Sequence, residues 1–150
     1  RKDVFLGDDL GLDSIKQIIK VFNRKISYEE QKKPKQRIQR RLKDVISFYK
    51  DLQITLRNAS RYLKVNGIIV IIISTREVMG VKLDSVKILK EMLMKLGVYF
   101  EKAYERDILK KTMPSIVNAS NIPNINSKTM SKEQILIFKK RNKWMNYKEL

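Results

Sequence analysis

Residues 61–73 read Arg61-Tyr62-Leu63-Lys64-Val65-Asn66-Gly67-Ile68-Ile69-Val70-Ile71-Ile72-Ile73. Every residue after Gly67 in this stretch is isoleucine or valine. Branching at Cβ favours extended backbone, and a run with no polar position has no face meant for water. The sequence therefore predicts a strand over 68–73, buried on both sides as in the interior of a parallel sheet. The run is too short to cross a bilayer. Just before it, Val65-Asn66-Gly67 predicts a turn, with Gly67 at the positive φ that ends a preceding helix. A helix, a tight turn and a strand make one αβ unit, and the rest of the chain is placed relative to it.

Upstream, Ile38, Leu42, Val45, Tyr49, Leu52, Leu56, Ala59 and Leu63 recur every three or four positions. That stripe predicts one amphipathic helix over 37–63, packed on the core. A first helix is expected over 13–23, capped by Asp13 and with Ile15, Ile18, Ile19 and Phe22 on one face. The polar loop 1–12 contains Asp8 and Asp9, which read as a turn and not as a metal site. Residues 23–37 read as a basic connector, with Lys32, Lys33, Lys35 and Arg37 around Pro34, which is expected to block a continuous helix. With Arg40, Arg41 and Lys43 the cluster runs into the next helix. It either grips phosphates or forms a solvated surface.

Downstream, 74–80 reads as a loop at the strand's C-terminal end, the edge where open α/β sheets collect ligands. Arg76 is the residue there suited to a phosphate or a base; its plainer role is an ion pair with Glu77 or another carboxylate. Asp84 and Ser85 start a helix over 84–96, with Val86, Leu89, Met92, Leu93 and Leu96 toward the sheet and Gly97 at its end. Strands are predicted over 98–107 and 133–139, antiparallel neighbours joined by a loop over 108–131. So long a loop is functional or disordered. The tail 139–150 is basic and carries Trp144 and Tyr147.

One hundred and fifty residues, 43% of them hydrophobic, suit a single domain with a real core. The 33 Lys and Arg outnumber 16 Asp and Glu, a formal net charge of +17. A polyanion is the expected partner, nucleic acid ahead of a membrane surface. The richness in Lys, Ile and Asn is also what an A·T-rich genome produces. Cysteine and histidine are both absent. That excludes disulfides, Cys/His zinc sites, cysteine nucleophiles and histidine bases from this stretch, and it fits a cytoplasmic setting. No segment has transmembrane length and no signal peptide is visible. With a start at Arg1 instead of methionine, the chain is expected to be a natural fragment or a trimmed piece of a longer protein.

A helix ending in Leu63-Lys64-x-x-Gly67, a strand with no polar position, a helix closed by Gly97 and two final strands resemble the C-terminal half of a class I, Rossmann-like methyltransferase sheet. The last strand of that sheet inserts antiparallel beside the fifth. On this resemblance 68–73 is the fifth strand, 98–107 the sixth and 133–139 the seventh. Lys110-Lys111-Thr112-Met113-Pro114, then Asn118 and Asn121, then Lys128-Thr129-Met130-Ser131-Lys132-Glu133 are similar to site-specific DNA amino-methyltransferases. Phe48-Tyr49-x-Asp51 and Arg76-x-Val78-x-Gly80-Val81 look like the same branch. The resemblance covers about residues 5–140. The family's glycine-rich cofactor loop and its Pro-Pro-Tyr catalytic motif do not occur in 1–150, and Thr75 stands where an asparagine often precedes the arginine.

The resemblance implies an S-adenosylmethionine-dependent enzyme of restriction-modification type. It methylates the exocyclic amine of a flipped-out base, cytosine N4 ahead of adenine N6. Catalytic and cofactor-binding residues would lie in a missing N-terminal half, so this piece is expected to be inactive alone. Its own part is to complete the sheet and to wall the base pocket with loops 74–80 and 108–131. The expected DNA contacts are Arg76, Lys110, Lys111, Asn118, Asn121 and Thr129. The competing expectations are a non-enzymatic basic α/β module that binds nucleic acid as it stands, and half of an RNA methyltransferase, which shares the fold.

Overall fold

A computed structural model describes residues 9–108, 116–117, 127–128 and 132–142. The chain forms helices α1 (Asp13–Tyr28) and α2 (Lys32–Tyr62), then strand β1 (Ile68–Ile73). A short hairpin follows, β2 (Arg76–Val78) and β3 (Val81–Leu83), then helix α3 (Ser85–Met94) and strand β4 (Val98–Asp107). The two-residue strands β5 (Ile116–Val117) and β6 (Ser127–Lys128) pair with each other, and β7 (Lys132–Lys140) closes the sheet.

The main sheet has the order β1-β7-β4. β7 runs antiparallel to both neighbours, so β1 and β4 are parallel to each other. The pairing of 98–107 with the last strand is as the sequence predicts. The setting of 68–73 differs from expectation. β1 is a strand at the predicted residues, but it lies at the edge of the described sheet and only one face is covered. Ile69, Ile71 and Ile73 pack on the core, whereas Ile68, Val70 and Ile72 are 58%, 56% and 57% exposed. A run apolar at every position shows that neither face was selected for water; it does not show what covers the second face.

The helices pack on the inner face of the sheet. Leu136 and Phe138 of central β7 are fully buried there, paired across the ladder with Ile71 and Ile69. Val98, the first residue of β4, is buried with them, together with Phe22, Leu42, Ile46, Leu89 and Leu93 from the three helices. Burying each such side chain contributes about 1.5–3 kcal/mol. On β4 the register slips between Phe100 and Lys102, leaving Glu101 as the extra residue of a bulge. Cross-strand ion pairs Arg106–Glu133 and Lys132–Glu105 join β4 to β7, and Arg141 just beyond β7 reaches Glu101 at 3.1 Å.

Several helix ends depart from the sequence reading. Asp13 does not cap α1: it is the first helical residue and bonds Lys16 at 3.1 Å. The orphan N–H of Ser14 is met instead by Glu91 of α3, at 3.1 Å to Oε2. α1 continues to Tyr28 and α2 begins at Lys32, so most of 23–37 is helical. Pro34 sits in the first turn of α2, where its missing N–H breaks no helical bond. The positive φ at the end of α2 falls on Asn66 (65°) and not on Gly67. Gly67 is needed for room: a Cβ there would lie 2.7 Å from Leu63 Cδ1 and 2.8 Å from the Lys64 carbonyl oxygen. β7 ends one residue beyond the predicted strand, so Lys140, read as part of the tail, belongs to it. Lys140 Nζ donates to the Ser60 and Leu63 carbonyls, 2.7 Å each, a cation at the C-terminal end of α2. Asp84 caps α3 as expected, its Oδ1 accepting from Lys87 N at 3.1 Å, and Gly97 follows that helix at φ 73°.

No helix among the described residues is long and apolar enough to cross a membrane.

Candidate nucleic-acid interface

At the C-terminal end of β1 the chain opens into a cleft of about 380 Å³. Residues of α2 form one wall, and Ile72, Ile73, Ser74, Arg76, Leu83 and Glu133 contribute to the rest. The α2 wall follows from helical spacing: Arg41, Asp44, Val45 and Phe48 stand three or four apart and share a face. Val45 is buried beneath it, while Arg41 bonds Asp44 at 3.3 Å and Phe48 is 54% exposed.

The other wall is shaped by the β2–β3 hairpin, where the sequence predicts only a loop over 74–80. Val78 pairs with Val81, so Met79-Gly80 is a two-residue turn with φ of 54° and 69°. Positive φ at both central residues matches the right-handed twist of the flanking strands. Met79 at this turn is buried, and β3 runs back antiparallel to β2.

Below the cleft, the Tyr49 hydroxyl and Ser85 Oγ are 2.9 Å apart, both buried. Burial pushes the Tyr49 phenol above its usual range; the Ser85 bond and the Arg76 charge oppose the shift, and Asp84 adds to it. The Phe48 ring meets the Tyr49 ring edge-on, centroids 5.1 Å apart and planes at 73°. Ser74 Oγ donates to the Lys132 carbonyl at 2.7 Å, tying the end of β1 to β7. The polar groups not committed to the scaffold are therefore the Arg76 guanidinium and the outer oxygens of Asp44 and Glu133.

Arg76 is exposed, lines the cleft, and forms no ion pair with Glu77 or any other carboxylate among the described residues. Strand β6 lies against β2, so the backbone of 127–128 comes back beside Arg76. The other expected contacts, Lys110, Lys111, Asn118, Asn121 and Thr129, lie outside the described residues. Lys32, Lys33, Arg37 and Arg40 are exposed on the first turns of α2, a basic track that ends at Arg41 in the cleft.

Comparison with protein-family models, with curated proteins and with solved structures returned no match to this chain. The chemistry of the site rests on its own residues. Among the described residues no group of three acidic side chains is placed to hold a metal ion. Asp9 serves its turn, with Oδ1 accepting from Gly11 N at 2.8 Å. No glycine is among the described residues that line the cleft. An exposed ring and two carboxylates suit a flat ligand with hydrogen-bond donors, and Arg76 suits one negative group beside it.

Sequence reasoning missed Asp44, named Arg41 only within the basic cluster of 32–43, and gave Phe48 and Glu133 no role beyond a family likeness. A signal for Asp44 and Arg41 was present: with Phe48 they stand three or four apart beside the apolar stripe of α2. Glu133 carried no local signal, because the pairing of β7 with β1 brings it to the cleft.

Proposed function

We propose that this chain is the C-terminal part of an S-adenosylmethionine-dependent, site-specific DNA methyltransferase acting on an exocyclic base amine, cytosine N4 ahead of adenine N6. The observation that carries the reading is β7, antiparallel between two strands that are parallel to each other. That is the arrangement the family resemblance implies for the end of the sheet. Against it stands β1, an outer strand with one exposed face among the described residues instead of the buried central strand that the resemblance implies; the reading therefore requires a neighbouring strand and a covering layer from outside residues 1–150. The net charge of +17 and the basic track on α2 support a nucleic-acid partner.

On this reading the methyl donor and the reacting amine are held by residues outside this chain, and no chemical step falls to the residues described here. This chain contributes a sheet, a cleft wall and positive charge that holds DNA in register.

The coding sequence immediately upstream of Arg1 is the first test. A Pro-Pro-Tyr motif within a few tens of residues supports the assignment. The second is methyl transfer from labelled S-adenosylmethionine to DNA by the joined halves, with none from this chain alone. A joined protein that folds and binds the cofactor yet leaves DNA unmethylated overturns it. If this chain alone binds nucleic acid tightly and the joined protein does not methylate it, the basic binding module takes its place.

A further inference from the structure

We propose that the cleft between α2 and the end of β1 takes a single nucleobase stacked on Phe48, with Arg76 on the adjoining phosphate. The inference deepens the reading above and rests on its nucleic-acid partner, not on methyl transfer. A lone exposed phenylalanine on a helix is ordinary. Phe48 differs in three respects. It lines a cleft of about 380 Å³, within the range that holds small ligands. Its ring is held edge-on by Tyr49, which is 1% exposed and tied to Ser85, so the platform is positioned before a ligand arrives. And the charged side chains Arg41, Asp44, Arg76 and Glu133 line the same cleft, beside the apolar Val45, Ile72 and Leu83 that a base can rest on.

The charges divide the work. Arg76 has no carboxylate partner among the described residues, so its guanidinium can meet a phosphate without breaking an existing bond. Asp44 and Glu133 are held by Arg41 and Arg106, and each keeps lone pairs able to accept from a base amine. Every base has a π-face, so the ring supplies affinity and the carboxylates favour bases that carry an amine.

The test uses this chain and two short single-stranded oligodeoxynucleotides, one with a central 2-aminopurine and one abasic at that position. Charge contacts are common to both, so the affinity ratio isolates the base. In the intact chain the base should add roughly tenfold, with its fluorescence quenched on stacking. Phe48→Leu keeps apolar bulk and should bring the ratio close to one; Phe48→Trp should keep it. Arg76→Ala should weaken both oligonucleotides alike and lower the salt dependence. Tyr28→Ala removes an exposed ring on α1 outside the cleft and should change nothing. An intact chain that binds the abasic strand equally well, or a Phe48→Leu chain that keeps the full ratio, overturns the proposal. The ratio is read without cofactor or added halves, so it stands or falls separately from the methyltransferase reading.

Discussion

The Tyr49 hydroxyl meets Ser85 Oγ at 2.9 Å beneath the cleft, joining the middle of α2 to the first residue of α3. Each is the other's partner at a buried position. Tyr49→Phe leaves the Ser85 hydroxyl buried without its bond and should cost about 1–2 kcal/mol. Adding Ser85→Ala should cost less than the sum of the two single changes, since both remove the same bond. Urea unfolding of the four proteins reads the coupling.

The same phenol predicts a pH dependence. Burial, the leading cause, raises the folded Tyr49 pKa above its unfolded value of about 10. Its contribution to stability is complete below that unfolded value. Above it, the unfolded chain releases the proton first, so the contribution falls as pH rises toward the folded pKa. The stability gap between the intact chain and Tyr49→Phe should therefore narrow above about pH 10 and stay constant from pH 6 to 9. A gap that widens at high pH would contradict the assigned burial.

Two glycines should respond differently to alanine. At Gly67 a Cβ would sit 2.7 Å from Leu63 Cδ1 and 2.8 Å from a backbone oxygen, so either the helix end or β1 must shift. Gly67→Ala should cost about 1–3 kcal/mol. Gly97 has open space around a Cβ but holds φ at 73°. There alanine should cost only the left-handed penalty of about 1–2 kcal/mol. Restoring the side-chain room with Leu63→Ala should ease the first substitution and leave the second unchanged.

The two faces of the sheet should separate cleanly. Phe138→Ala empties a fully buried position and should cost about 3–5 kcal/mol. Val70→Thr, on the uncovered face of β1, should shift stability by no more than about 0.5 kcal/mol. A large loss from Val70→Thr in this chain alone would mean that the outer face is covered after all.

The elements themselves were legible because their signals are local. The stripe on α2, the aliphatic run 68–73 and the Asp84 cap each declare a structure within a few residues. Gly97 does the same for the end of α3. What failed was long-range. Ser14 is capped by Glu91, and Lys140 closes α2, across gaps that no window of sequence spans. The burial of β1 was misread for a related reason: hydrophobicity records what a face prefers, while its exposure depends on which strands are beside it. Of the expected contacts, Arg76 could be placed because it follows a strand end directly. Its setting could not, because the hairpin turn at Met79-Gly80 puts a non-glycine residue at positive φ, where composition gives little warning.

The bare row of Ile68, Val70 and Ile72 also has a consequence for the life of the polypeptide. Beside it runs a strand edge with no described neighbour, so the main-chain donors and acceptors there form a ready template for another extended chain. Synthesised without its cover, the polypeptide should be retained by chaperones or cleared by proteases, and crowding should drive it into ribbons of like strands. Threonine or lysine at Val70 should relieve that tendency while leaving the helical face as it is.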